Sequence, residues 1–266
     1  MNRIKQKFEE LARADKKAFI PYITPEFPVK GATVSLLQAL ERSGADLIEV
    51  GIPFSDPLAD GKTVQHASKI ALRNGATIST ILGAVKQFRA SSTLPILLMG
   101  YVNPLLRYGT KKFFTDCATA SVDGLIVPDL PPEESADIVK ESENAGISNV
   151  FLIAPTTPID RIRLIDKLST DFSYCVSVTG VTGARSELGI NGSLDAFLKR
   201  VRENAKKPFV VGFGISNAQQ VEHVWRLADG AVVGSALLQA IKDASTREEC
   251  VMKAERFMHA LRTRNF

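Results

Sequence analysis

Eight short apolar runs, separated by stretches with helical spacing, constrain this chain more than any other feature. They lie at 18–24, 46–51, 95–101, 124–129, 149–155, 173–178, 209–212 and 230–234. Most are nearly continuous rather than alternating, as in Ile96-Leu97-Leu98-Met99. A strand that is apolar on both faces must be covered on both, which is the condition of parallel strands in α/β folds. The intervening stretches supply the cover. Val34, Leu37 and Leu40 share a helical face, and Gly44 is placed to stop that helix. Residues 133–146 read as a helix carrying Ile138 and Val139 and ending on glycine. Asn217 is a candidate N-cap for a helix with Val221, Val224 and Leu227 on one side. Residues 1–19 are charged, with Ile4, Phe8 and Leu11 at helical spacing, and read as an amphipathic helix rather than a signal peptide.

Eight strands alternating with helices in 266 residues predict an α/β fold, a (β/α)8 TIM barrel forming a single domain over 1–266 with an extra N-terminal helix. An open, doubly wound sheet has the same periodicity, and the pattern alone leaves both architectures standing. The units at 51–95 and 178–209 are long, so an extra loop or helix is expected after the second strand. Barrel active sites lie on the loops that follow strands, which directs attention to these two units.

Composition narrows the function classes. Lys and Arg number 33 against 29 Asp and Glu, a net charge of +4, and the positive charges are scattered. That argues against a nucleic-acid binder. The longest uncharged apolar stretch, 94–106, is broken by Gly100, Asn103 and Pro104, too short to span a membrane. Cys117, Cys175 and Cys250 lie far apart without metal-ligand spacing, which fits a reducing, cytoplasmic setting and no metal site. His66, His223 and His259 fall on helical segments and read as surface or packing residues. Cys175 and Trp225 read as core, and no Gly-x-Ser-x-Gly or Walker pattern occurs.

Glu49 is the residue out of place. It interrupts Leu47-Ile48-Glu49-Val50-Gly51 inside a strand. Alternation puts Leu47, Glu49 and Gly51 on one face and Ile48 and Val50 on the other. If the apolar pair meets the helices, Glu49 points into the barrel, where burial raises a carboxyl pKa and suits it to proton transfer near neutrality. A Glu paired with a lysine at the strand end is the structural alternative. The next loop, Ile52 to Gly61, holds two prolines, Asp56 and Asp60. Asp60 can reach back over the barrel mouth, or simply form a turn before Gly61, and Asp56 before Pro57 reads as a turn residue. Glycine pairs then follow three late strands: Gly180 and Gly183, Gly212 and Gly214, and Gly234 before Ser235. Each alone is a plausible tight turn. Together they suit a phosphate approached by backbone N–H groups.

These residues resemble a known family. Glu49-Val50-Gly51-Ile52-Pro53-Phe54-Ser55-Asp56-Pro57-Leu58-Ala59-Asp60-Gly61 is similar to the signature of tryptophan synthase α subunits. The likeness continues through Tyr101-Val102-Asn103-Pro104, Val127-Pro128-Asp129-Leu130-Pro131, Gly180-Val181-Thr182-Gly183, Gly212-Phe213-Gly214-Ile215-Ser216 and Gly234-Ser235, covering about 19–242.

The resemblance implies a (β/α)8 barrel that cleaves indole-3-glycerol phosphate to indole and glyceraldehyde 3-phosphate. The reaction is a retro-aldol that uses no metal or organic cofactor in this chain. Glu49 matches the general acid/base acting on C3 of the indole. Asp60 matches the carboxylate at the indole N–H, where positive charge develops. Gly183, Phe213, Gly214, Gly234 and Ser235 match a phosphate cradle. Tyr22, Met99, Tyr101, Tyr174 and Thr182 match substrate contacts, with Thr182 meeting Asp60, and Leu98 is expected in the same apolar mouth. The implied partner is a pyridoxal-phosphate (PLP) β subunit in an α2β2 tetramer, which receives the indole and joins it to serine.

The chain departs from the family pattern at Tyr22, where Phe is commoner, at Val178, where some members have Arg, and at Lys62 and His66, where Pro and Asn are frequent. Lys62 lies near the loop expected to meet the β subunit, so the departure there bears on partner fit. A stand-alone lyase releasing free indole shares the same catalytic residues. A mainly regulatory partner of the β subunit would not need both carboxylates. A phosphosugar isomerase would leave the apolar mouth unused.

Overall fold

A computed structural model describes residues 2–176, 192–212 and 214–262. All strand pairs are parallel, and the strands are β1 (Ala18–Ile23), β2 (Ile48–Gly51), β3 (Ile96–Met99), β4 (Gly124–Ile126), β5 (Ser148–Val150, continued by Leu152–Ile153), β6 (Ser173–Val176), β7 (Phe209–Gly212) and β8 (Gly230–Val233). The first half of β5 pairs with β4 and its second half with β6. Between the halves, the Phe151 carbonyl accepts the Tyr174 N–H at 3.1 Å. One strand therefore joins both ends of the sheet and closes it, which decides for the barrel over the open sheet.

The helices are α1 (Arg3–Arg13), α2 (Thr33–Arg42), α3 (Lys62–Arg73), α4 (Ile78–Arg89), α5 (Val102–Tyr108), α6 (Thr110–Ala120), α7 (Ala136–Ala145), α8 (Ile159–Leu168), α9 (Gly192–Asn204), α10 (Ala218–Leu227), α11 (Ser235–Ile241) and α12 (Arg247–Arg262). Among the described residues, none is long and apolar enough to cross a membrane. Two helices, α3 and α4, fill the long unit after β2. The helix expected over 133–146 divides. Pro132–Glu134 form a 3₁₀ turn and α7 begins only at Ala136. Ser135 closes this turn, its N–H and Oγ both donating to the Pro132 carbonyl, at 3.3 and 2.7 Å. Asn217 caps α10 as expected, its side chain accepting the Gln220 N–H at 3.0 Å.

Helix α1 closes the bottom of the barrel. Ile4, Phe8 and Leu11 are all buried. Asn2 accepts the Ile4 N–H at 2.8 Å and donates to the Asp123 carbonyl at 3.1 Å and to Ser148 Oγ at 2.7 Å, tying the helix to β4 and β5. A Cβ on Gly124 would lie 2.9 Å from Ile4 Cδ1, so a glycine at the foot of β4 makes room for the plug. Arg3 and Arg89 both pair with the buried carboxylate of Asp123. The opposite end, where the strands finish, stays open for a site.

Candidate active site

Tyr22 and Glu49 are register partners on neighbouring strands, so their side chains leave the sheet on the same, inward face. Ile48 and Val50 turn outward and are fully buried among the helices. Glu49 is 2 % exposed, and its Oε1 has no hydrogen-bond partner. The structural alternative, a Glu paired with lysine, is therefore not what the fold contains at this oxygen. Burial, and then the nearby Asp60, push the Glu49 carboxyl up to about 8.

Asp60 is held by the loop that leaves β2. Its N–H donates to the Pro57 carbonyl at 3.0 Å, and its own carbonyl accepts Gln65 Nε2 at 2.8 Å. Gly61 then opens α3. The phenol of Tyr101 pins the loop from behind. It accepts the Ala59 N–H at 3.0 Å, packs its ring 5.4 Å from Phe54, and hydrogen-bonds the Asp60 carboxylate. Burial pushes Asp60 up to about 6, and the Tyr101 bond opposes that rise. Glu49 therefore holds its proton to a higher pH than Asp60 does. Opposed environments of this kind divide acid from anion in active sites.

One cavity at the open end is lined by Tyr22, Glu49, Asp60, Val64, Met99, Tyr174, Gly214, Val232, Gly234 and Ser235. Its empty space, counted with its opening to solvent, is about 400 Å³, within the range of small-molecule sites. It brings together Glu49, Asp60, Tyr22, Met99, Tyr174, Gly214, Gly234 and Ser235 of the residues expected from sequence. Tyr101 is not in its wall but stands behind Asp60. Leu98 is not in it either, because one residue along the strand from Met99 turns its side chain to the opposite face. Thr182, Gly183 and Phe213 lie outside the described residues. Val64 on α3 and Val232 on β8 line the cavity without having been singled out from sequence. Val64 sits on the buried face of α3 and Val232 in an apolar strand, so both look like core residues and no local signal distinguishes them.

The glycines shape the cavity. Gly214 has φ +89, a left-handed conformation that side chains other than glycine rarely adopt. Gly212 is needed for close approach, since a Cβ there would lie 1.8 Å from the Tyr174 hydroxyl. Gly212→Ala is expected to destabilise the protein by about 1–3 kcal/mol through overpacking. The clash falls on the Tyr174 ring as well, whose Cζ and Cε1 would lie 2.4 and 2.6 Å from the added methyl. Urea denaturation of the variant beside the parent chain measures the effect, and an unchanged midpoint would refute it.

The histidines have local roles. His66 packs edge-on against Phe27 at 6.3 Å, and His223 meets Asp195 at 2.7 Å. Among the described residues, no three His, Cys, Asp or Glu side chains cluster as a metal site would require. Cys117, Cys175 and Cys250 are free and buried.

Comparison with known proteins gives a consistent picture. The family model described as "Tryptophan synthase alpha chain" matches residues 8–264. A tryptophan synthase alpha chain from Pelodictyon phaeoclathratiforme is 52% identical, over 98% of this chain and 99% of its own length. The crystal structure of tryptophan synthase subunit alpha from Legionella pneumophila superposes with a TM-score of 0.90 at 34% identity, covering 99% of this chain and 98% of that one. A structure of the tryptophan synthase α2β2 complex from Pyrococcus furiosus matches with a TM-score of 0.85 at 39% identity, over 92% of this chain and 97% of that chain.

Proposed function

This chain belongs to the tryptophan synthase alpha chain family, and from that premise we propose that it cleaves indole-3-glycerol phosphate to indole and glyceraldehyde 3-phosphate. The observation that carries the reading is one cavity that sets Glu49, buried with its Oε1 unpartnered, in the same wall as Asp60, which Tyr101 holds. Glu49, protonated, gives its proton to C3 of the indole. Asp60, ionised, lies at the indole N–H and stabilises the positive charge that this protonation creates. The bond from C3 to the side chain then breaks, and the electron pair returns to the ring. The neighbouring hydroxyl becomes the aldehyde and yields its proton to Glu49, which ends as it began. No proton is gained or lost overall, so one carboxyl serves as acid and then as base.

Gly214, Gly234 and Ser235 form the wall that receives the phosphate, through backbone N–H groups and the Ser235 hydroxyl; Gly183 and Phe213, assigned to the same cradle by resemblance, lie outside the described residues. Tyr22, Met99, Tyr174, Val64 and Val232 surround the indole ring, and Tyr101 acts by holding Asp60. The partner is a PLP-dependent β subunit in an α2β2 assembly in the cytoplasm, and the cofactor belongs to that subunit. Leu58, 83 % exposed in the same loop as Asp60, is an apolar group available to such a partner.

The test is indole formation from indole-3-glycerol phosphate, with and without a β subunit, followed across pH. Activity requires Asp60 ionised and Glu49 protonated, so kcat/KM of the chain should be bell-shaped. Its acid limb is expected near 6 and its basic limb near 8. Absence of indole under both conditions would refute the reading. A profile that stays flat between pH 5 and 9 would refute the assignment of the two carboxyls.

A further inference from the structure

Asp129 is the carboxylate of the loop after β4, and it does not line the cavity. The turn from Val127 to Leu130 carries it, closed by the Leu130 N–H donating to the Val127 carbonyl at 3.2 Å. Its Oδ1 accepts the Val102 N–H at 3.0 Å. Val102 is the first residue of α5, where an N–H has no partner within the helix. On the other side of Tyr101, the Gly100 N–H donates to the Ile126 carbonyl of β4 at 3.0 Å. The backbone of Tyr101 is thus flanked by two hydrogen bonds, one to β4 and one to the loop that follows it.

The side chain of Tyr101 reaches across to the loop after β2. Its hydroxyl accepts the Ala59 N–H at 3.0 Å and hydrogen-bonds the Asp60 carboxylate. The N–H groups of Leu58 and Asp60 bond inside that loop, to the carbonyls of Asp56 and Pro57, whereas Tyr101 ties the loop to the end of another strand. A tyrosine has only two rotatable side-chain bonds, so a shift of its backbone is carried to its hydroxyl. Burial and then Asp60 raise the Tyr101 phenol above its ordinary pKa, and Asp129 adds to the rise. The phenol therefore stays protonated and able to donate. Tyr101 on the turn after β3, Glu49 on β2, Tyr22 on β1 and Tyr174 on β6 are the titratable groups around Asp60.

We infer that Asp129 is a positioning residue for Asp60, fixing the backbone at Val102 so that the Tyr101 hydroxyl stays on Ala59 and Asp60. The inference rests on the reading of Asp60 as the anion at the indole N–H. Asp129 touches no bond of the substrate and acts only through its neighbour. A direct effect of its charge on Asp60 would have the opposite sign. A second carboxylate acting through space raises a carboxyl pKa, so removing Asp129 would lower the pKa of Asp60. Loosening the Tyr101 bond, which favours the charged form of Asp60, raises it.

The experiment uses the full chain and reads the Asp60 carboxyl by ¹³C NMR titration, with the resonance identified by its loss in Asp60→Asn. Tyr101→Phe should raise the Asp60 pKa by roughly one pH unit, and Asp129→Ala by about half a unit. Asp129→Asn keeps an oxygen that can accept the Val102 N–H and should not raise it. Combining Asp129→Ala with Tyr101→Phe should give the shift of Tyr101→Phe alone. In Asp129→Ala the acid limb of kcat/KM should follow the titration, with kcat down by about tenfold and KM little changed. An Asp60 titration that Asp129→Ala leaves in place or lowers overturns the inference, as does an equal rise in Asp129→Asn. Additive shifts in the double variant overturn it too. If the Asp60 resonance moves while the activity limb stays fixed, the link from Asp129 through Tyr101 stands and the role of Asp60 in cleavage falls.

Discussion

Glu49→Gln should reduce indole formation by at least ~10² to 10⁴-fold, the usual worth of a positioned proton-transfer group. Glutamine keeps the size and shape of the side chain but has no proton to exchange at neutral pH. The substitution removes the proton donor proposed for C3, so the loss falls on kcat. The phosphate wall and apolar lining are unaltered, and the dissociation constant for substrate should change little. The variant should also still bind the β subunit proposed as its partner, because Glu49 is buried inside the barrel and presents no surface to another chain. Steady-state kinetics and equilibrium binding separate these effects. Cleavage at nearly the parent rate would sink the mechanism.

The same variant tests the burial of Glu49 through stability. A folded-state carboxyl at about 8, against an ordinary value of 4.5, binds more protons in the folded than in the unfolded chain between those values. Stability therefore falls as pH rises from about 4.5 to 8, by up to about 1.4 kcal/mol for each pH unit crossed, and levels off above. Below 4.5 both states are protonated and the term vanishes. Asp60, raised from 3.8 to about 6, has the same sign over a narrower and lower window. Glu49→Gln should remove the larger slope, so that its advantage over the parent chain in urea denaturation grows between pH 5 and 8. Parallel stability curves for the two proteins would mean that Glu49 is not buried as an unpartnered acid.

Gly234→Asp should raise KM for indole-3-glycerol phosphate by at least ~10²-fold. It sets a carboxylate in the wall proposed for the phosphate, and two charges about 4 Å apart repel by on the order of 4 kcal/mol near a protein surface. Steric and electrostatic parts can be separated. A methyl at this position would lie 3.2 Å from Tyr22 Cβ, which a small shift absorbs, so Gly234→Ala should raise KM only slightly. Gly214→Asp should be as damaging as Gly234→Asp, because it adds backbone strain at φ +89 to the same repulsion. Unchanged KM in both Asp variants would mean that the phosphate sits elsewhere.

Much of this architecture was legible in the order of residues. The eight apolar runs correspond to eight strands because a strand covered on both faces must be apolar throughout. Ile4, Phe8 and Leu11 announced a helix with one buried side, and Asn217 announced a cap, since both depend on neighbours a turn away. Glu49 stood out by alternation alone. A carboxylate in a strand of Leu, Ile and Val must face something other than helices. The resemblance to a family added roles that no periodicity contains.

What sequence alone determined is the set of interactions that reach only a few residues: element type, helix faces, caps, and the inward direction of Glu49. Closure of the sheet was decided by tertiary structure, because it depends on β5 dividing its hydrogen bonds between strands on either side. The place of Tyr101 behind Asp60, the outward turn of Leu98 and the entry of Val64 and Val232 into the cavity were decided there too. So were the raised pKa values of the two carboxyls. A pKa is set by how much water is excluded and by which groups converge from distant parts of the chain, and those exist only once β1, β2, β6 and β8 share one barrel.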